Sequence, residues 1–171
     1  GNNYHMKNDV INAEIYYKKC LQLFPLFGEA YLNLGNIYDG EKSLWAFKKA
    51  AEVVGPNSLS PNRPLYANAL SNVGHYLVEK QGKTKALDYT NIEEAIKYYK
   101  EALRWVPDHE QTWYNLGIAY EKQGFRQKAY EAYREVIILT PSHLGANLNI
   151  GNLLMYGGYY NASLEFHRKV V

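Results

Sequence analysis

The chain has 171 residues, 19 of them basic and 17 acidic, with one cysteine. So even a charge balance argues against a nucleic-acid surface, and a lone cysteine excludes an internal disulfide framework. No stretch approaches the ~18 apolar residues of a membrane span.

Glycines at Gly1, Gly35, Gly74, Gly117 and Gly151 mark where one helical pattern begins again, at steps of 34, 39, 43 and 34 residues. A period of this size predicts stacked helical units rather than one compact core. In chain order, a partial unit over 1–27 starts inside a helix, with Gly1 and Tyr4, and continues through Ala13, Tyr17, Cys20 and Pro25. Cys20 falls at a small-residue core position, which predicts packing rather than reactivity. A second unit, 28–66, carries Tyr31, Leu34, Gly35 and Tyr38, a short turn at Asp39–Lys42, and a helix over 43–56. That helix fits with about three residues deleted, and its expected inward face is Leu44, Phe47 and Ala51, with Lys48 where an aromatic is due. A proline-rich linker, 56–64, follows.

The third unit, 67–109, has Leu70, Val73, Gly74 and Leu77, then nine extra residues around Gly82–Asn91, then Ala95, Tyr99, Ala102 and Pro107. The fourth, 110–143, is the best preserved. Trp113, Leu116 and Tyr120 lie at i, i+3 and i+7, one face of a helix. Gly124 is the helix stop, and Ala129, Tyr133 and Val136 repeat the spacing before Pro141 ends the second helix. Gly117 sits inside the first helix, where glycine costs about 1 kcal/mol against alanine. Close approach of the partner helix, with only a methyl at Ala129, is the expected compensation. The fifth unit, 144–171, keeps Ile150, Gly151, Leu154 and Gly158, and puts Asn147, Ser163 and His167 at core positions.

The order Trp113, Leu116, Gly117, Tyr120, Gly124, Ala129, Tyr133, Pro141 resembles the 34-residue tetratricopeptide repeat. The likeness extends, with the departures noted, over nearly the whole chain. It implies an all-α fold, an α-solenoid of antiparallel helix pairs forming a right-handed superhelix. The mid-helix start and the Val170–Val171 finish lead to the expectation of a segment of a longer array, able to self-associate through open repeat ends.

Chemistry is absent from the pattern. Gly82-Lys83-Thr84 lacks the earlier glycine of a phosphate-binding loop, since Leu77 stands there. The five histidines, His5, His75, His109, His143 and His167, have no zinc spacing; His109 and His143 close successive units and are expected at the surface. Six framework tyrosines (Tyr17, Tyr31, Tyr38, Tyr99, Tyr120 and Tyr133) are expected to pack with a solvated hydroxyl. No catalytic residue, metal ligand or cofactor is expected.

Binding is expected instead. Counting Glu110 as position 1, the resemblance implies that positions 2, 5, 6, 9, 12 and 13 face a concave groove. Position 6 is Asn33, Asn72, Asn115 and Asn149; position 9 is Asn2, Asn36, His75, Ile118 and Asn152. This ladder is similar to the peptide-gripping repeat arms of certain glycosyltransferases, where asparagines hold an extended backbone. A carboxamide both donates and accepts, so it can pair with a peptide group whatever the side chain. The candidate contact residues are Asn33, Asn36, Asn72, His75, Tyr114, Asn115, Asn149 and Asn152, and the expected partner is a protein or extended peptide. Position 2 (Glu29, Asn68, Gln111, Gly145) and position 5 (Leu32, Ser71, Tyr114, Leu148) carry no basic clamp, which argues against chaperone C-terminal tails. An alternative is the substrate-recruiting arm of a larger enzyme, with catalysis elsewhere.

Overall fold

The computed structural model describes residues 2–59, 61–82 and 89–169. Gly1, Lys83 and Thr84, the centre of the expected insertion and the Val170–Val171 finish lie outside the described residues, as do the side chains of Asn2, Tyr4 and His5. Among the described residues there are nine α-helices and no strand: α1 Asn2–Leu23, α2 Gly28–Ile37, α3 Gly40–Val54, α4 Arg63–Gly82, α5 Thr90–Trp105, α6 Glu110–Lys122, α7 Arg126–Leu139, α8 Leu144–Tyr156 and α9 Tyr160–Arg168. The fold is an all-α helical-repeat solenoid. It divides into two compact units, Gly1–Val73 and Gly74–Val171, with the boundary inside α4.

In the second unit, α5 buries Ile92, Ala95, Ile96, Tyr99, Ala102 and Leu103, an apolar stripe at helical spacing. α6 packs on α5 and α7, and α8 on α7 and α9. α6 ends in a left-handed glycine cap: Gly124 has φ +78°, its N–H donates to the Glu121 carbonyl, and the Phe125 N–H donates to that of Tyr120. Only glycine takes this conformation without strain. α8 closes the same way at Gly158.

The glycine inside each first helix is explained by a ring rather than by the expected alanine methyl. A Cβ on Gly117 would lie 2.4 Å from the Tyr133 ring, and one on Gly74 would lie 2.6 Å from that of Tyr99. On Gly151 it would meet the His167 imidazole at 2.5 Å. The ring of the second helix therefore lies close against the bare backbone of the first.

The first unit follows the same rule and corrects the expected face of α3. A Cβ on Gly35 would meet the Phe47 ring at 2.4 Å, so Phe47 is the covering aromatic. The buried residues of α3 are Ser43, Ala46, Phe47, Ala50 and Val54; Leu44 and Ala51 are only half-buried. The step from glycine to the small residue is 8 residues here, Gly35 to Ser43, against 12 from Gly117 to Ala129. Four residues are missing, about one helical turn, so the face is kept. Ser43 Oγ donates to the Gly35 carbonyl at 2.7 Å. α4 begins at Arg63, ahead of the expected unit start, capped by Asn62 Oδ1, which accepts from the Leu65 N–H at 3.0 Å. Cys20 is half-buried and unbonded to another cysteine.

Candidate binding face

The first helices carry the asparagine positions, and the two units show the same local arrangement. In the first unit, Asn72 Nδ2 donates to Asn36 Oδ1 at 3.5 Å, so position 6 of one repeat meets position 9 of the repeat before it. Asn33 is half-buried and makes no hydrogen bond among the described residues. In the second unit, His75 and Asn115 stand in the same relation. They share a recess of about 50 Å³ with Val78, Glu79, Ile118 and Lys122, floored by Tyr99. Positions 6, 9, 12 and 13 thus open onto one surface.

Most of these amides already have partners. Asn115 is buried and accepts from Gln111 Nε2 at 3.0 Å. Asn152 Oδ1 lies 3.2 Å from His167 Nε2. The Tyr133 hydroxyl, beside Asn149, donates to Glu121. Burial pushes the Tyr133 phenol far above its usual range, and the Glu121 carboxylate pushes the same way. Its hydroxyl is therefore bonded inside the repeat rather than solvated. A peptide reaching these groups must exchange partners, which reduces the gain from each hydrogen bond.

Tyr114 is half-buried between repeats. Its ring lies 4.9 Å from that of His143 and 5.7 Å from that of Tyr133, and its hydroxyl fills the space where a Gly145 Cβ would stand.

His109 and His143, expected at the surface, are half-buried helix caps. His109 Nδ1 accepts from the Thr112 N–H at 3.3 Å and lies 2.7 Å from Thr112 Oγ1. His143 Nδ1 accepts from the Ala146 N–H at 3.0 Å. An imidazole can cap in this way only while that nitrogen is unprotonated. Burial pulls His109 below its ordinary range, opposed by Asp108. Glu110 ties the junction together, accepting from Thr140 Oγ1 and lying 3.8 Å from His143 Nε2.

At position 4, Trp113 Nε1 donates to the Pro107 carbonyl at 2.8 Å. Asn147, its counterpart, is fully buried and donates to the equivalent Pro141 carbonyl at 3.0 Å. An amide in place of the indole keeps that bond, while its Oδ1 is left without a partner. Among the described residues, no cluster of His, Cys, Asp and Glu could hold a metal ion, and no helix is long and apolar enough to cross a membrane.

A family model described as "TPR repeat" matches residues 91–124, and one described as "Tetratricopeptide repeat" matches 110–143. Among curated proteins, the bimA protein of Emericella nidulans is 26% identical over 144 residues, 82% of this chain and 16% of that protein. The BBSome complex member BBS4 of Bos taurus is 26% identical over 80 residues, 47% of this chain and 15% of that protein. The chain thus spans about a sixth of the length of these relatives. Among solved structures, MamA is similar at TM-score 0.74 and 23% identity, over 99% of this chain and 91% of that one. PilF of Pseudomonas aeruginosa is similar at TM-score 0.79 and 19% identity, over 99% and 71%. YrrB, described as a TPR protein with an unusual peptide-binding site, reaches 0.66 at 20% identity, over 99% and 80%. Overlapping repeat matches at the best-preserved stretch, and a likeness of fold over almost the full length, lead to one conclusion: residues 91–143 carry tetratricopeptide repeats, in a chain with the fold of tetratricopeptide repeat proteins.

Proposed function

We propose that the chain is a protein-interaction scaffold that holds an extended peptide or a partner subunit on the face made by its first helices, the concave groove of the repeat array. The repeats contributing to it are 28–66, 67–109 and 110–143, with partial repeats at 1–27 and 144–171. The observation that carries this reading is the placing of positions 6 and 9 of successive repeats on one face, Asn72 bonded to Asn36 and Asn115 sharing a recess with His75. Such pairs offer both donors and acceptors to a peptide backbone. The peptide-binding description of YrrB and the complex membership of BBS4 agree with it. The exposed Leu148, Met155 and Leu164 on α8 and α9 support a second, weaker association of the chain with itself.

The test is the triple substitution Asn72→Ala, Asn115→Ala and Asn149→Ala, with helicity checked by circular dichroism. Three hydrogen bonds at about 0.5–1.5 kcal/mol each predict at least a tenfold loss of affinity for a captured partner. Unchanged affinity in a folded variant removes the ladder from the mechanism.

A further inference from the structure

A cleft of the second unit lies away from the asparagine face. It holds about 820 Å³ between α5 and α7, with α6 beneath. From α6 it takes Trp113, Leu116 and Tyr120, whereas Asn115, Ile118 and Lys122 point to the recess described above. At 100° per residue these two sets leave the helix on nearly opposite sides. The cleft floor is completed by Leu103 and Ala132 and is mainly apolar, with the Tyr120 phenol among its side chains. Its only indole N–H is already spent on the Pro107 carbonyl.

The rims are charged, and oppositely so. α5 contributes Lys100 and Arg104, one turn apart; α7 contributes Glu131 and Glu135, also one turn apart, with Lys128 at one end. Arg104 is paired to Glu101 at 3.1 Å, and Lys128 lies over the Phe125 ring at 4.7 Å. Glu131 accepts from Gln127 at 3.0 Å. Lys100 and Glu135 have no hydrogen bond or ion pair among the described residues. An unpaired cation on one bank and an unpaired carboxylate on the other thus flank an apolar floor.

We propose that this cleft is a second docking site, and that it takes an amphipathic helix from a partner protein. That helix carries acidic side chains on the flank meeting α5 and basic ones on the flank meeting α7. The chemistry of the floor selects a helix over an extended strand. Both banks are helices whose backbone groups bond internally, and the floor offers no free carboxamide. An extended peptide would leave its own N–H and C=O groups without partners there, at a cost, whereas a helix brings them already satisfied and lays down an apolar stripe at i, i+3, i+4 and i+7. Opposite rims then set charge complementarity.

The probe is a designed 14-residue helical peptide with a leucine stripe, glutamates along one flank and lysines along the other. Peptides with two glutamate flanks or two lysine flanks are the controls, because exchanging flanks only reverses the direction of docking. The readout is the Trp113 indole N–H resonance in the ¹⁵N-labelled 171-residue chain, assigned with Trp113→Phe. The mixed-flank peptide is expected to shift it and to bind at least about tenfold more tightly than either control. In Lys100→Glu/Arg104→Glu, where both banks are acidic, the preference is expected to pass to the two-lysine peptide. The Asn72→Ala/Asn115→Ala/Asn149→Ala variant is expected to bind the mixed peptide normally. The proposal is overturned if the mixed peptide leaves the Trp113 resonance in place. It is equally overturned if charge reversal leaves the order of the three peptides unchanged, or if the asparagine variant loses binding.

Discussion

Replacing Gly117 by alanine sets two known effects against each other. In a helix interior alanine is favoured over glycine by about 1 kcal/mol, so on an exposed face the change would stabilise. Here the new methyl lands 2.4, 2.6 and 2.8 Å from three atoms of the Tyr133 ring. Reaching ordinary contact requires the ring to retreat by about 1 Å in an interior packed to crystal density. Tyr133 is fully buried, and its hydroxyl is tied to Glu121. Overpacking of this kind costs about 1–3 kcal/mol, leaving a net loss of about 1 kcal/mol once the propensity gain is subtracted. Urea denaturation followed by circular dichroism measures it, at an unchanged m-value. The same substitution in a Tyr133→Leu background removes the obstacle, so there Gly117→Ala is expected to raise the midpoint. That reversal, a coupling of about 1–3 kcal/mol between neighbouring sites, is specific to the ring. A higher midpoint for Gly117→Ala in the parent chain would refute the account of why glycine stands there.

Other consequences can be measured in the same way. Ser43→Ala is expected to cost more than Ser163→Ala. The Gly35 carbonyl lies in the last turn of α2 and accepts from Ser43, whereas the Gly151 carbonyl, which accepts from Ser163 at 2.8 Å, lies within α8. Losing a sole partner costs about 1–3 kcal/mol against about 0.5–1.5 for a shared one, so equal losses in urea midpoints would count against it. Burial lowers the His109 pKa, so between that lowered value and the ordinary ~6.5 the unfolded chain holds more protons than the folded one. Its contribution is therefore complete above about pH 6.5 and declines as pH falls through that window; His109→Asn, which keeps a capping acceptor without a proton to take up, is expected to flatten the slope of midpoint against pH. Leu164 is 54% exposed on α9, and Leu164→Glu is expected to abolish concentration-dependent growth in mass by light scattering; growth that persists would place the self-contact elsewhere.

Where the repeat is regular, the sequence was enough to read it. The spacing of Trp113, Leu116 and Tyr120, the stop at Gly124 and the end at Pro141 are local features, set by one turn of helix or one backbone conformation. Contacts between helices were less legible. Ala129 looked like the neighbour of Gly117 because both are small, but the ring of Tyr133, one turn further along, reaches back over the glycine. In α3 the shorter turn hid the phase: counting three missing residues put Lys48 in the aromatic position, whereas four place Phe47 there. Histidine is not a usual capping residue, so His109 and His143 read as solvated turn positions. For the candidate face, the register of the asparagines followed from the period alone. What their side chains bond to did not, because Gln111 and His167 reach Asn115 and Asn152 by side-chain geometry that spacing does not encode.

His167 has a further effect. Over Gly35, Gly74 and Gly117 the ring is a phenylalanine or tyrosine; over Gly151 it is an imidazole held at one nitrogen by Ser163 and at the other by Asn152. The same carboxamide therefore fastens α9 to α8 and faces the proposed ligand. A guest that captures Asn152 takes away one of the bonds holding the helix behind it and leaves the Ser163–Gly151 bond in place, so occupancy at this end of the chain loosens α9 without freeing it.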